Sequence, residues 1–219
     1  MDYSFHWRPV LRSLPELLNG ALVTIEISVL SMVLGVILGL MLAMMRMSES
    51  RPLFWFATVW VQTARNTPAL FQLFFFGFGL GSIGINLPPF LIVLIGITFN
   101  NAGYLSENFR GGFKAVPTTQ LRAARSLGMT AVKTYRYIII PQVLRIVYHP
   151  ITNQMVWAVM MSSLGMLVGF KELSGVTQVL ASSTFRIFEY FAVAAVIYYI
   201  IAKLILGASR LIAWRFLRC

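Results

Sequence analysis

Long apolar runs separated by short polar connections make up most of the chain. A helix needs roughly 20 apolar residues to cross a membrane, and most of these runs reach that length. The uncharged run from Asn66 to Ser106 is too long for one crossing, and a cluster of Gly and Pro at 77–89 divides it into two. The pattern predicts an all-α membrane protein with five transmembrane helices in a single domain, 1–219, with spans at about 20–45, 53–78, 89–109, 146–170 and 190–209.

The composition and the charge distribution agree with this architecture. Of all residues, 58% are hydrophobic and 11% are charged, and the mean hydropathy is +0.77. The net charge of +11 does not indicate nucleic-acid binding, because long apolar runs interrupt the basic residues. Twelve Lys or Arg residues fall in 46–52, 110–145 and 210–219, against four in the amino-terminal segment and 171–187. The positive-inside rule therefore predicts an amino terminus outside and a cytoplasmic carboxyl terminus.

Polar residues inside two of the predicted spans are the candidates for function. Arg65 to Pro68 interrupts the second span, where Pro68 removes a helix hydrogen bond and Arg65 must face protein or water. Arg65 could attract a substrate carboxylate, or it could bind the carbonyl groups freed at the break. In the third span, Glu107 shares a helix face with Asn100 and Tyr104. Glu107 could attract a cationic group of a substrate, or it could pair with Arg110.

The basic loop at 116–141 lies between the third and fourth predicted spans and faces the cytosol in the predicted topology. Its sequence predicts a short helix that starts near Thr118 or Thr119 and presents the small residues Ala123 and Ala124. Gly128 is expected to end this helix, and a second helix leads back to the membrane. A short helix with a small-residue surface can dock in a groove of another protein.

The loop resembles a known signature. Ala123, Ala124, Gly128, Ile138 and Pro141 have the spacing of the EAA signature of membrane subunits of ABC importers. The stretches 65–68, 101–112 and 138–145 resemble the permeases of that superfamily that carry polar amino acids (histidine, glutamate, glutamine, arginine or opines). The resemblance implies a type I ABC importer transmembrane domain that forms the path for an amino acid. It also implies a coupling helix that contacts ATPase subunits through Arg122, Ala123, Ala124, Arg125, Leu127 and Gly128.

The resemblance also implies a substrate pocket, and the sequence departs from the family pattern at two places. Substrate contacts fall on Thr67, Glu107, Met161, Ser162 and Ser163, and gating or structural roles fall on Arg65, Pro68 and Pro141. The family usually has Glu where Arg122 stands, so the charge of the coupling signature is reversed here. A Lys-Asp-Thr-Ser run is replaced by Met160 to Ser163. This loss of charge leads to the hypothesis of a heterodimer in which a sibling permease holds the substrate.

The remaining expectations concern energy, partners and location. The sequence has no G-x-x-x-x-G-K-[ST] phosphate loop, so the chain is predicted not to be an enzyme, and ATP and Mg²⁺ would bind in two partner ATPase subunits. The implied partners are a second permease subunit in a dimer, an external amino-acid-binding protein and membrane lipid, in the bacterial inner membrane. With only two His residues, neither a metal site nor another cofactor is expected. The alternatives are an ion-gradient-driven transporter or channel subunit and a membrane scaffold without transport.

Overall fold

The computed structural model describes residues 3–217, which fold into helices without a strand. Arg218 and Cys219, part of the basic terminal segment, lie outside the described residues. Three π-helical turns, at Phe75–Gly79, Tyr135–Ile139 and Ala213–Leu217, continue helices. The α-helices are α1 (Arg8–Arg12), α2 (Leu14–Arg46), α3 (Arg51–Asn66), α4 (Ala69–Phe74), α5 (Pro89–Ala115), α6 (Thr118–Ser126), α7 (Ala131–Thr134), α8 (Ile140–Ser162), α9 (Leu173–Thr184) and α10 (Ile187–Ile212).

Four helical segments among the described residues are long and apolar enough to cross a membrane. They are Leu14–Arg46, Pro89–Ala115, Ala131–Val168 and Ile187–Arg215, and they overlap the predicted first, third, fourth and fifth spans. The predicted second span is instead divided between α3 and the shorter apolar segment Ala69–Gly79. The count of five spans therefore stays a prediction.

Helix ends lie beyond the charge-free runs used to place the spans. The helix that contains α8 begins at Ala131, fifteen residues before the predicted start at 146. Thr130 caps it, since its hydroxyl oxygen accepts a hydrogen bond from the Lys133 amide at 3.4 Å. Charged residues are compatible with a helix that extends out of the hydrocarbon layer, so the charge pattern underestimates helix length.

Two glycines bring α2 and α5 into close contact. A Cβ atom added at Gly35 would lie 2.8 Å from the Asn101 Cβ, and one added at Gly39 would lie 2.8 Å from the Leu105 Cβ. Both distances are shorter than real Cβ contacts allow, so only glycine permits this separation of the helices. Ala43, one turn further along, is also buried. Small residues at intervals of four thus form the interface of these two predicted spans.

The segment between the predicted fourth and fifth spans contains a helix, α9, which the sequence pattern does not predict. Glu172 caps its amino end by accepting from the Gly175 amide at 2.8 Å. The same carboxylate accepts from Thr24 Oγ1 at 3.1 Å and from Tyr198 Oη at 2.6 Å. Burial raises the pKa of the Glu172 carboxyl group from its ordinary value. One side chain therefore joins α2, α9 and α10.

Candidate functional site

The helix break at Pro68 is the centre of the candidate site. In a regular α-helix the amide of residue 68 would donate to the Ala64 carbonyl. Pro68 has no amide hydrogen, so this carbonyl loses its usual donor. Two side chains supply donors instead: Gln72 Nε2 lies 2.9 Å from the Ala64 oxygen, and Asn100 Nδ2 lies 3.2 Å from it. Gln72 Nε2 also donates to the Thr67 hydroxyl oxygen at 2.9 Å. The predicted break is therefore confirmed, and its freed carbonyl is satisfied.

A cavity of about 330 Å³ opens beside this break. Its volume is in the range of pockets that hold small molecules. Three of the residues predicted for the site, Arg65, Thr67 and Pro68, lie on its wall. Asn100 and Tyr104 of the predicted polar face lie there too, whereas Trp157 was not predicted. The complete lining consists of Arg65, Asn66, Thr67, Pro68, Ala69, Asn100, Tyr104 and Trp157.

Glu107 lies next to Arg65 in a cluster of ion pairs. Arg46 donates to Glu107 Oε1, and Arg110 donates to Oε2 from Nε at 3.0 Å and from Nη2 at 2.5 Å. Arg65 Nη1 lies 3.7 Å from Oε1. Of the two interpretations of Glu107, the structure shows the pair with Arg110, and it adds Arg46 at the end of α2. Three guanidinium groups therefore surround one carboxylate.

The guanidinium of Arg65 is not used to repair the helix break. The Ala64 oxygen is occupied by Gln72 and Asn100, and no hydrogen bond from the Arg65 side chain is found within residues 3–217. The Arg65 Cζ lies 5.5 Å from the centre of the Tyr104 ring, a distance typical of a cation–π contact. Arg65 is thus held at the cavity wall by the Tyr104 ring and by the Glu107 carboxylate at 3.7 Å.

The loop helix α6 has the predicted ends. It begins at Thr118, and Gly128 follows it with a φ of +76°. The Met129 amide donates to the Ala124 carbonyl at 3.0 Å, and the Gly128 amide donates to the Arg125 carbonyl at 2.9 Å. These two hydrogen bonds form a Schellman motif, in which glycine is favoured because the residue has a left-handed conformation. The predicted start and end of the helix are therefore confirmed.

The residues predicted for coupling divide between two faces of α6. Ala124 is buried against the chain itself, so its small side chain serves packing within the loop. The side available to another protein is formed by the exposed residues Arg122, Ala123, Arg125 and Leu127. Pro141, predicted to have a gating or structural role, is the second residue of α8, directly after the π-helical turn Tyr135–Ile139.

Comparisons with known proteins identify the kind of protein that carries these features. Residues 35–217 match the family of binding-protein-dependent transport system inner membrane components. The chain belongs to this family. As a family member it is a permease component, a transport role, and the resemblance to amino-acid permeases of ABC importers is confirmed by the relatives described next.

Curated relatives of this permease align over nearly its whole length. The octopine transport system permease protein OccM of Rhizobium meliloti is 34% identical, with coverage of 97% of this chain and 89% of the relative. The probable amino-acid ABC transporter permease protein YckA of Bacillus subtilis (strain 168) is 32% identical, with coverage of 93% and 90%. The L-cystine transport system permease protein TcyB of the same organism is 33% identical, with coverage of 91% and 86%.

Solved structures show the same fold. A crystal structure of an amino acid ABC transporter with histidines matches the permease with a TM-score of 0.91 and 29% identity, covering 98% of this chain and 100% of that one. An inward-facing form of the MetNI methionine ABC transporter matches with a TM-score of 0.72 and 16% identity, covering 92% and 98%. The second match shows the fold alone.

The other residues predicted for substrate contact lie away from the cavity wall. In this permease Met161 is buried among apolar side chains that include Ile27 and Leu73. Ser162 is also buried, and its hydroxyl donates to the Val159 carbonyl at 2.8 Å. Ser163 donates to the Met160 carbonyl at 2.6 Å, so both hydroxyl groups are used within their own helix turn. Their role in substrate contact stays a prediction.

The described part of the permease contains no group of three or more His, Cys, Asp or Glu residues that could hold a metal ion. The chemistry available at the site is therefore that of guanidinium, amide, hydroxyl and aromatic groups. Such groups can bind and orient a polar solute. Among the side chains of the cavity wall there is no carboxylate, thiol or imidazole.

Proposed function

We propose that this permease forms part of the translocation path of an ATP-driven importer for a polar amino acid and that the cavity beside Pro68 belongs to this path. The observation that carries the proposal is a cavity with polar side chains on its wall, at a helix break among apolar helices. Broken helices at membrane depth are tolerated where they line a cavity, and they supply polar groups to a solute. The names of relatives that transport glutamine, octopine and cystine support an amino acid as the solute.

The energy comes, in this proposal, from two partner ATPase subunits. They bind the exposed face of α6, because the sequence has no phosphate loop of its own and this helix presents a row of exposed residues. Closure of the two ATPases moves the coupling helices and changes which side of the membrane the path faces. This is alternating access. The proposed orientation places α6 and the carboxyl terminus in the cytosol and the amino terminus outside.

A second permease subunit completes the proposed path, and an external binding protein delivers the amino acid. A sibling permease is favoured over a second copy because Met160 and Met161 stand where the resemblance implies charged residues. Met160 is 52% exposed, which places an apolar surface where charge pairing with a solute would be expected. The heterodimer hypothesis assigns that pairing to the sibling chain.

The test is transport by the assembled complex. The chain, its neighbouring ATPase and permease genes and the binding protein are expressed together, and the complex is reconstituted in lipid vesicles. We expect labelled amino acid added with the binding protein to accumulate only when ATP is present on the ATPase side. An ATPase variant without its phosphate-loop lysine is the control and should give no accumulation.

Two results would contradict the proposal. Uptake that follows an ion gradient and persists without ATP would favour the secondary transporter. Stable association with an ATPase whose hydrolysis does not respond to any amino acid would favour the scaffold. Transport by two copies of this chain without a sibling would refute only the heterodimer.

A further inference from the structure

We propose that the amino-terminal segment binds the headgroup of an anionic phospholipid in a cavity beside Arg8 and Arg186. The cavity has a volume of about 580 Å³, and its wall consists of residues 5–9, Leu11 and Arg186. The inference goes beyond the proposed function, since it assigns a lipid site and requires no transported solute. In the proposed orientation the site faces the outer leaflet of the membrane.

The wall of this cavity is held in place by the start of α10. The Glu189 carboxylate is buried and accepts hydrogen bonds from the Tyr3 hydroxyl and from the His6 amide, the latter at 2.9 Å. Val10 of α1 is 1% exposed and belongs to the same apolar cluster as Tyr190. The amino-terminal segment is therefore packed against the membrane-spanning part of the chain, and the cavity between them is part of the fold.

Two guanidinium groups give the cavity a positive charge. Arg186 Nη1 donates to the Ser4 carbonyl at 2.8 Å and lies 3.8 Å from Glu189 Oε1, so Glu189 balances the charge of Arg186. Arg8 is exposed, and no hydrogen bond or ion pair of its side chain is found within residues 3–217. The described wall carries no carboxylate. The charge of Arg8 thus remains to attract a phosphate and to repel the cationic group of a zwitterionic headgroup.

The depth of the cavity corresponds to the headgroup layer. It lies next to the amino ends of α2 and α10, two helices long and apolar enough to cross a membrane. The 33 residues of α2, at 1.5 Å each, extend about 50 Å, against a hydrocarbon layer of about 30 Å. The predicted first span begins at residue 20, whereas α2 begins at Leu14. The first turns of α2, and the cavity beside them, therefore lie at the membrane surface.

Apolar side chains continue from the cavity into the membrane. Trp7 is 47% exposed and stacks on Phe5 with the ring centres 6.0 Å apart, and tryptophan is enriched at headgroup depth. On α2, exposed apolar side chains at intervals of four, three and four share one helix face: Leu18, Leu22, Ile25 and Val29.

This stripe favours a lipid over other ligands of the same charge. An acyl chain can lie along it while the phosphate contacts the arginines, whereas a free phosphate would leave it unused. A water-soluble protein cannot reach the part of the stripe that lies inside the predicted first span. The combination of a positive cavity and an apolar stripe below it therefore fits an anionic phospholipid.

The experiment measures which phospholipid lies next to Trp7. The full permease complex is reconstituted in vesicles of phosphatidylcholine that contain a minor fraction of phosphatidylglycerol with brominated acyl chains, or the same fraction of brominated phosphatidylcholine. Bromine quenches tryptophan fluorescence on contact, and the difference between the parent and a Trp7→Phe variant isolates the Trp7 signal. We expect phosphatidylglycerol to be favoured at Trp7 by about fivefold, the effect of one basic residue at an anionic membrane surface.

Variants of two arginines of α1 locate the charge that is responsible. Arg8→Gln should remove the preference for phosphatidylglycerol, and Arg8→Lys, which keeps the charge, should retain most of it. Arg12→Gln is the matched control, because it removes an exposed arginine of the same helix that is not on the cavity wall. It should leave the preference unchanged. Yield and elution volume of each complex verify assembly.

Four results would overturn the inference. Equal quenching of Trp7 by the two brominated lipids would show no selection, and an equal effect of Arg8→Gln and Arg12→Gln would show only general attraction by surface charge. Loss of the preference on addition of inorganic phosphate at constant ionic strength would indicate a site for a free anion. Quenching by neither lipid would show that a second permease or the external binding protein covers the cavity. ATP-driven uptake is measured separately, so each of these results leaves the proposed function intact.

Discussion

Gln72 and Asn100 show at the scale of single residues how a helix break is made stable. A carbonyl group without a donor costs several kcal/mol where no water can reach it. The two side-chain amides replace the amide hydrogen that Pro68 lacks and leave Arg65 facing the cavity. Neutral groups thus hold the backbone, and the charged group remains available to a solute.

Removal of the Gln72 amide should therefore weaken the fold at the break. We expect Gln72→Leu to lower the free energy of unfolding by about 1–3 kcal/mol, because the Thr67 and Ala64 oxygens lose a donor. The thermal unfolding midpoint in detergent measures this. Gln178→Leu, on the exposed face of α9, is the matched control and should change it little. Equal midpoints for both variants would show that Asn100 alone satisfies the break.

Sequence distance explains which residue contacts could be predicted. The break follows from Pro68 itself, and Arg110 is three residues from Glu107 on one helix. A local sequence pattern can therefore predict both the break and this ion pair. Asn100 is 36 residues from Ala64 and Arg46 is 61 residues from Glu107. These pairs exist only because α5 packs against α2 and α3. No periodicity in one helix predicts them.

Helix packing sets the limits at the scale of elements. Gly39 allows α2 to approach α5, and a Cβ there would also lie 3.2 Å from the Ala102 carbonyl oxygen. Overpacked positions of this kind cost about 1–3 kcal/mol. Gly207 in α10 has no neighbour among the described residues within 4 Å of the corresponding position.

The pair offers a matched test of this interface. We expect Gly39→Ala to lower the unfolding midpoint of the solubilised protein. Gly207→Ala should raise it slightly, because alanine is a better helix former by up to about 1 kcal/mol. A Gly39→Ala variant as stable as Gly207→Ala would mean that the helices separate at little cost, which is contrary to the close packing described.

The end of α6 gives a second prediction for an element. Gly128→Val places a β-branched residue at a φ of +76°, where such residues are strained, although its Cβ would meet no atom within 4 Å. The proposed coupling then predicts loss of ATPase subunits from the purified complex. Gly128→Asn tolerates the left-handed conformation and should retain them. Coelution of the ATPase with each variant measures the effect, and full retention by Gly128→Val would contradict a coupling role for this helix end.

Elements differed in how far the sequence could predict them. The end of α6 is predictable because Gly128 acts locally, whereas its start follows Pro117 and has no side-chain cap. The sequence pattern does not predict α9, because its capping residue, Glu172, carries a charge that is typical of a polar connection. Its buried position depends on Thr24 and Tyr198 from two other helices. Tertiary contacts therefore decide whether such a segment is loop or helix.

The distribution of basic residues over the whole molecule predicts its orientation in the membrane. Single cysteines can test it in a Cys219→Ser background. Position 48 is in the connection between α2 and α3, and position 183 is near the end of α9. The two variants are Ser48→Cys and Ser183→Cys. We expect an impermeant maleimide applied to intact spheroplasts to label the variant at 183 and not the variant at 48. Labelling of both only after lysis, or the reverse pattern, would overturn the proposed topology.

One long helix gives the molecule a mechanical property. It begins at Ala131, next to the loop helix, and runs through Pro141 and Pro150 to Ser162, and Trp157 on it faces the cavity. The 26 residue steps from Ala131 to Trp157, at 1.5 Å each, make a lever of about 39 Å. A tilt of about five degrees at the Ala131 end moves the Trp157 backbone by about 3 Å, roughly the length of one hydrogen bond. The proposed coupling therefore needs only a small rotation at the loop to change the shape of the cavity wall near the other end of this helix.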